Sequence, residues 1–297
     1  MNWIQQKYRS TVFTVHGLFE FTKAGFEKHA SKFVAADLDV DLSGKRFIVT
    51  GANSGLGKST ACNLAKRGAT VLMLCRNAET GAEAKLSIEK DTGSKTIELH
   101  QVDLSRPAQI VEFANKMKAE DRCVDCVINN AGVMSTERIE TADGIETVFA
   151  TNTLGVYALT KHLLPLLKKS ADPRVVTVSS GGAYTVALDT SDLQFKKLGA
   201  WDDAITYAQT KRAEIDMMIY FAAKNSDVKF MSMHPGWAKT PGVDKSLPAF
   251  SKAMADRLRT SDMGADTIVW AAIANSVSHI PNGSFLFGLV FLIQTAR

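Results

Sequence analysis

Thr50-Gly51-Ala52-Asn53-Ser54-Gly55-Leu56-Gly57-Lys58 follows the apolar run Phe47-Ile48-Val49 and opens a helix-like stretch, Ser59 to Arg67. Three glycines between a strand and a helix let the backbone turn tightly and come close to a ligand. The helix N-terminus then presents unpaired N–H groups and the positive end of its dipole to a phosphate. The spacing is G-x-x-x-G-x-G. It differs from the G-x-G-x-x-G dinucleotide fingerprint in letter and matches it in mechanism. A tight strand–helix turn without a ligand would read the same way.

Outward from this loop, apolar strand-like runs alternate with helical patterns. The strands fall at 45–50, 70–75, 97–102, 124–129, 174–179 and 228–233. Helical patterns fall at 56–67, 79–91, 106–120, 143–169 and 204–224. Strands that are apolar on both faces imply a parallel sheet covered on both sides. The fold class is therefore α/β, a single doubly wound parallel sheet (Rossmann-like) with helices on both faces. Its ligand lies beyond the carboxyl ends of the strands. Residues 1–40 form an amphipathic N-terminal extension, and 41–297 form the Rossmann domain.

Tyr207 and Lys211 stand four apart in Tyr207-Ala208-Gln209-Thr210-Lys211. On a helix this spacing puts both on one face. An ammonium beside a phenol favours the phenolate, bringing the tyrosine from about 10 toward the working range of an acid–base catalyst. An ordinary exposed Tyr/Lys pair has the same spacing.

The glycine loop, Asn129-Asn130-Ala131-Gly132, Ser179-Ser180 at a strand end, and the Tyr207/Lys211 pair occur in one order. In these motifs, across about residues 41 to 287, the chain resembles the short-chain dehydrogenase/reductase family. The resemblance implies catalytic roles for Tyr207 (proton donor and acceptor), Lys211 (ribose contact and tyrosine tuning), Ser180 (substrate carbonyl) and Asn152 (support of a proton-relay water). It implies cofactor contacts from Gly51, Asn53, Ser54, Gly55, Leu56, Gly57, Arg76, Asp103, Leu104, Asn130, Ala131, Gly132, Pro235 and Gly236, with Tyr207 and Lys211. Ser179 and Ser180 point to opposite faces of their strand, and family position selects Ser180. The gap from Ser180 to Tyr207 resembles the retinol-dehydrogenase-like branch, which implies an enlarged substrate-side loop.

The second strand ends in Cys75-Arg76-Asn77. An acidic residue there would accept from a ribose 2′-hydroxyl, whereas a guanidinium suits a 2′-phosphate. NADP(H) is therefore preferred over NAD(H). Likeness to the family suggests a hydrophobic alcohol or carbonyl substrate. His234, after the sixth strand, reads as structural. Gly283 to Phe287 resembles the family's last strand; beyond it, Gly288 to Ile293 replaces the more polar tail the resemblance leads one to expect, which points to an altered end.

The chain has 297 residues, 45% of them hydrophobic, enough for one large domain with a sizeable core. A net charge of +4 without a long basic run gives nucleic-acid binding little support. Cys123-Val124-Asp125-Cys126 has metal or redox spacing, but no second Cys/His pair is near it in sequence. No metal is expected, and reduced thiols in an intracellular protein are. In the first 35 residues, Tyr8, Val12, Val15, Phe19, Phe26 and Phe33 fall near helical spacing among several lysines, with a weak point at Gly17 or Gly25. A basic amphipathic helix of this kind fits peripheral contact with a membrane surface, docking of a partner helix, or packing on the protein's own core. A nucleotide-binding scaffold with little turnover is the rival to an enzyme.

Overall fold

A computed structural model of the chain describes residues 3–287 and 290–292. The N-terminal segment forms helices α1 (Trp3–Glu20) and α2 (Lys23–Ala30). Then β1 (Arg46–Thr50), α3 (Gly55–Ala65), β2 (Thr70–Cys75), α4 (Ala78–Thr92), β3 (Ile97–Gln101), α5 (Pro107–Ala119) and β4 (Cys126–Asn129) alternate. A short helix, α6 (Thr147–Phe149), runs through a wide π-type turn at Ala150–Gly155 into α7 (Val156–Leu167). β5 (Arg174–Val178), α8 (Asp203–Lys224), β6 (Lys229–His234), α9 (Pro241–Ser246), α10 (Pro248–Ala253), α11 (Ser261–Ile273), β7 (Ser284–Phe287) and β8 (Val290–Leu292) follow.

The strands form one sheet in the order β3-β2-β1-β4-β5-β6-β7-β8. β1 to β7 are parallel, and the short β8 adds to β7 antiparallel. β8 takes up part of the apolar run beyond Phe287; Gly288, Leu289 and Ile293 of that run lie outside the described residues. Alternate strand residues serve the two faces. Phe47, Val49, Val71, Met73, Cys126 and Ile128 join the core under α3, α4 and α11. Ile48, Leu72, Leu74 and Val127 join the core under α5, α7 and α8. The strand order reverses between β1 and β4, so the crevice of a doubly wound sheet opens beyond their carboxyl ends. Gly51, just past β1, faces Ala131, just past β4: a Cβ on Gly51 would lie 3.1 Å from the Ala131 Cα.

Three local readings are corrected. The helical pattern at 143–169 begins only at Thr147, because the Glu146 carboxylate caps it, accepting from Val148 N at 2.8 Å and Phe149 N at 2.7 Å. The N-terminal pattern breaks at Phe21-Thr22, not at Gly17 or Gly25; Thr22 caps α2 by accepting from Gly25 N at 3.3 Å. Beyond residue 224, α11 is an unexpected helix. Gly264, Ala265 and Thr267 through Ile273 are all buried, so it shows no amphipathic stripe for periodicity to detect.

The extension is bonded into the main body. Lys23 N donates to Arg257 O at 2.8 Å, and Trp237 N donates to Phe21 O at 2.8 Å. The buried Arg259 guanidinium donates to Glu20 O at 2.8 Å, Thr22 O at 3.2 Å and Pro235 O at 3.2 Å. On α1, Phe13 packs on Gly181 and Gly17 on Trp237. Tyr8, Val12, Val15 and Phe19 lie on the other side of α1 and stay exposed, Tyr8 and Phe19 at 70%.

Candidate active site

The glycine loop leaves β1 with Gly51 at φ +64° and enters α3 with Gly55 at φ +52°, a region few residues other than glycine occupy. Ser54 starts α3 without a side-chain cap bond, so the first-turn N–H groups of α3 are not taken by its hydroxyl. A Cβ on Gly57 would collide with the Gly51 carbonyl and stand 2.5 Å from Asn130 Nδ2. A backbone this close-packed, ending in a helix N-terminus, fits a pyrophosphate cradle. Asn53 Nδ2 donates to Thr80 Oγ1 at 3.2 Å and ties the loop to α4. Leu56 turns away from the loop and packs on Gly264 of α11.

The rest of the nucleotide set divides. Arg76 is exposed immediately after β2. Asp103 and the buried Leu104 follow β3, and the Asp103 carboxylate accepts from Ser105 N at 2.9 Å and Ser105 Oγ at 2.8 Å. Asn130 is occupied elsewhere: its Nδ2 donates to Thr50 O at 2.8 Å, while Asn130 N and Ala131 N each donate to Thr50 Oγ1 at 2.9 Å. Thr50 thus clamps β1 to the segment after β4, a role that only the folded chain reveals. Gly132 follows directly, 3.1 Å from the Lys211 Nζ at its would-be Cβ. Pro235 and Gly236, after β6, are held by Arg259.

The candidate catalytic residues converge where β4 and β5 end. Asn152 sits fully buried in the π-type turn, a feature common at functional sites. Its Oδ1 accepts from Val133 N at 2.8 Å, and its Nδ2 donates to Val133 O at 2.9 Å and Thr210 Oγ1 at 3.1 Å. Ser179 points into the protein and donates to Lys211 O at 2.7 Å. Ser180 points the other way and caps the turn at Gly181–Thr185, accepting from Gly182 N at 3.1 Å. Irregular chain from Val186 to Asp202 separates that turn from α8, pinned by Gln209 Nε2 to Ala187 O at 2.7 Å and Trp201 Nε1 to Ser135 O at 2.8 Å.

On α8, the Lys211 Nζ lies 5.6 Å from the centre of the Tyr207 ring. It also donates to Val178 O at 2.8 Å and to Glu214 Oε1 and Oε2 at 2.8 and 3.1 Å. Burial pushes the Tyr207 phenol up; the Lys211 charge opposes this, and the Glu214 charge adds to it, leaving the phenol above its ordinary value. That corrects the expectation of a lowered tyrosine, which took no account of burial, the largest effect, or of Glu214. Burial pulls the Lys211 ammonium down, but Glu214 and Tyr207 carry it above its usual value. Burial lifts the Glu214 carboxyl to about 7 against the pull of Lys211. The sequence carried one signal for this residue, an acid three positions after the lysine, which ordinarily marks an exposed helix pair.

All four cysteines are free thiols, Cys75 and Cys126 buried and Cys62 and Cys123 half-buried. Among the described residues no three His, Cys, Asp or Glu side chains gather as metal ligands.

Known proteins resemble this chain in sequence and fold. The short chain dehydrogenase model matches residues 45–249. Human dehydrogenase/reductase SDR family member 12 is 45% identical over 278 residues, 94% of this chain and 87% of that protein. Bovine retinol dehydrogenase 12 is 36% identical over 83% of this chain and 79% of its own length. A crystal structure of an uncharacterised protein from Mycobacterium paratuberculosis, 31% identical, superposes with a TM-score of 0.67 over 85% of this chain and 83% of its own. A short chain dehydrogenase from Escherichia coli CFT073 complexed with NADPH, 23% identical, shares the fold with a TM-score of 0.67 over 85% of this chain and 99% of its own. With its sheet order, glycine loop and Tyr207/Lys211 pair, the chain belongs to the short-chain dehydrogenase/reductase family of oxidoreductases, enzymes that act on CH–OH groups.

Proposed function

We propose that this enzyme uses NADP(H) to interconvert an alcohol and a carbonyl group on a hydrophobic substrate. The observation that carries the reading is the convergence of Tyr207, Lys211, Asn152 and the Ser180 turn at the ends of β4 and β5, beside the glycine loop. A bound nicotinamide supplies or accepts the hydride. The Tyr207 hydroxyl gives or takes the proton of the substrate oxygen, and Ser180 Oγ orients that oxygen. Lys211 supplies the positive charge that makes the phenol a usable acid, and Asn152 fixes the turn facing it. Arg76, exposed after β2, supports the preference for a 2′-phosphate. Phe13, Phe21, Trp237 and Phe250 form an aromatic group beside the Ser180 turn, with ring centres 5.3 to 6.3 Å apart, which suits an apolar substrate.

Titration with NADPH and with NADH, followed by cofactor fluorescence, tests the cofactor; tighter binding of NADPH is expected. A screen of apolar aldehydes and ketones tests turnover. The Tyr207→Phe variant should bind nucleotide normally and lose turnover by about 100-fold or more. Tight nucleotide binding without turnover of any carbonyl would instead favour a scaffold.

A second proposal concerns α1. Its exposed Tyr8, Val12, Val15 and Phe19 form one stripe, and the exposed Lys7 and Arg9 flank it. This is the build of a helix that rests on a membrane surface. Among the described residues no helix is long and apolar enough to cross a bilayer. Flotation with anionic vesicles should carry the protein up, and serine at all four stripe positions should leave it behind. Equal flotation of the two would dismiss the contact.

A further inference from the structure

Glu214 lies one helical turn beyond Lys211, and the two are 1% and 2% exposed. The Lys211 ammonium has three hydrogens. Three oxygens meet it: the Val178 carbonyl and both carboxylate oxygens of Glu214. Each hydrogen is matched, so a ribose hydroxyl can gain one only if an oxygen gives one up. Val178 O belongs to the fixed end of β5, whereas the Glu214 carboxylate is at the end of a side chain. The other groups around the ammonium are Gly132 after β4, Asn152 in the π-type turn and Tyr207 on α8. Gly132 and Asn152 do not titrate. Among the described residues, Lys211 is the one charged group acting on Glu214, and Tyr207 is the other ionisable neighbour of the pair.

We propose that Glu214 is a positioning residue that shares Lys211 with the nicotinamide ribose, and that seating the nucleotide moves a Lys211 hydrogen bond from Glu214 to the ribose while Glu214 takes up a proton from solvent. The proposal rests on the dinucleotide reading of the site. Lys211 remains an ammonium throughout. One N–H···O bond is exchanged, one proton passes from buffer to a Glu214 oxygen, and no electrons move. A buried carboxylate that loses part of its cation is strongly disfavoured in its charged form, so protonation follows. While paired, Glu214 already titrates at about 7. Weaker pairing raises it further. Neutral Glu214 no longer opposes the pull of Lys211 on the phenol, so arrival of the nucleotide itself prepares Tyr207 as an acid–base group.

The linkage has a definite sign. A proton taken up on binding makes affinity fall as pH rises. Calorimetric titration of the full chain with NADPH at pH 8, in two buffers of different ionisation enthalpy, counts the protons. An uptake of about 0.5 to 1 proton is expected, with affinity falling up to about tenfold per pH unit above 7. At pH 6, where Glu214 is mostly protonated beforehand, uptake should be small. Glu214→Gln should bind NADPH with no uptake and with nearly flat affinity between pH 7 and 8.5. NADPH binding to the wild type without uptake at pH 8, or undiminished uptake in Glu214→Gln, would overturn the proposal and leave the nucleotide reading intact. If Glu214→Gln does not fold by circular dichroism, the wild-type comparison of pH 6 with pH 8 decides alone. Failure of both NADPH and NADH to bind would remove the nucleotide reading and this proposal together.

Discussion

Gly57 has no room for a side chain, because a Cβ there would run into the carbonyl oxygen of Gly51. Gly51 lies in the turn between β1 and α3 and Gly57 in the first turn of α3, so neither can move without opening that junction. Gly57→Ala should therefore weaken NADPH binding at least tenfold, about 1.4 kcal/mol, and lower the melting temperature. Gly199→Ala is the control, since nothing lies within 4 Å of its would-be Cβ. Fluorescence titration and thermal unfolding of the two variants check this. Wild-type affinity in Gly57→Ala would mean that the nucleotide does not depend on the loop.

In the proposed reading, Arg76 sets the preference between the two nucleotides by charge. It is exposed directly after β2, and the next residue, Asn77, caps α4 by accepting from Thr80 N at 2.9 Å. A guanidinium there attracts a 2′-phosphate, and a carboxylate repels it while accepting from a 2′-hydroxyl. Arg76→Asp should shift the ratio of NADPH to NADH affinity by about 10- to 100-fold toward NADH, from a charged hydrogen bond of about 1.5–3 kcal/mol. Competition titrations measure the ratio. An unchanged ratio would place the phosphate elsewhere.

The places of these two residues, Gly57 at the start of the helix after β1 and Arg76 directly after β2, were legible in the sequence because strand and helix periods differ. The presence of β1 to β6 and their parallel pairing follow from the same alternation. Other features were hidden for physical reasons. α11 is buried on most of its surface and has no stripe. α1 carries apolar residues on two faces, Phe13 and Gly17 toward Trp237 and Gly181, and Tyr8, Val12, Val15 and Phe19 toward solvent, so periodicity does not say which face packs. Glu214 has the spacing from Lys211 of an ordinary exposed helix pair, and only tertiary packing buries both.

The seat of α1 can be tested at Gly17. A Cβ there would lie 2.7 Å from the Trp237 Cη2 and 2.8 Å from the Phe21 Cδ2. Trp237 has little freedom to retreat, with Phe13, Phe21 and Phe250 packed around its ring. Gly17→Leu should lower stability by about 1–3 kcal/mol through overpacking. It should also lift α1, so that brief proteolysis cuts within residues 3–20 faster than in the wild type. Unchanged stability and cleavage would mean that α1 does not rest on Trp237.

His234 makes acid stability diagnostic. It is 3% exposed at the end of β6, and neither ring nitrogen has a hydrogen-bond partner among the described residues. Phe21 meets its ring edge-on at 4.4 Å and Phe287 stacks at 5.4 Å. Burial first, then the charges of Arg259 and His16, lowers it to about 3. The unfolded chain protonates this histidine below about 6.5, whereas the folded chain keeps it neutral until about 3. Its contribution is therefore complete above 6.5 and is lost as pH falls toward 3, about 2 kcal/mol of it by pH 5. Asp266, lifted by burial to about 6, acts in the opposite direction over part of this range, so the difference between two proteins is the useful quantity. Phe at position 234 keeps the aromatic packing and forfeits no hydrogen bond. Denaturant unfolding of wild type and His234→Phe at pH 7 and pH 5 should show the variant gaining about 2 kcal/mol on the wild type at the lower pH. A constant difference would mean that the folded protein gives this ring a partner able to accept its proton.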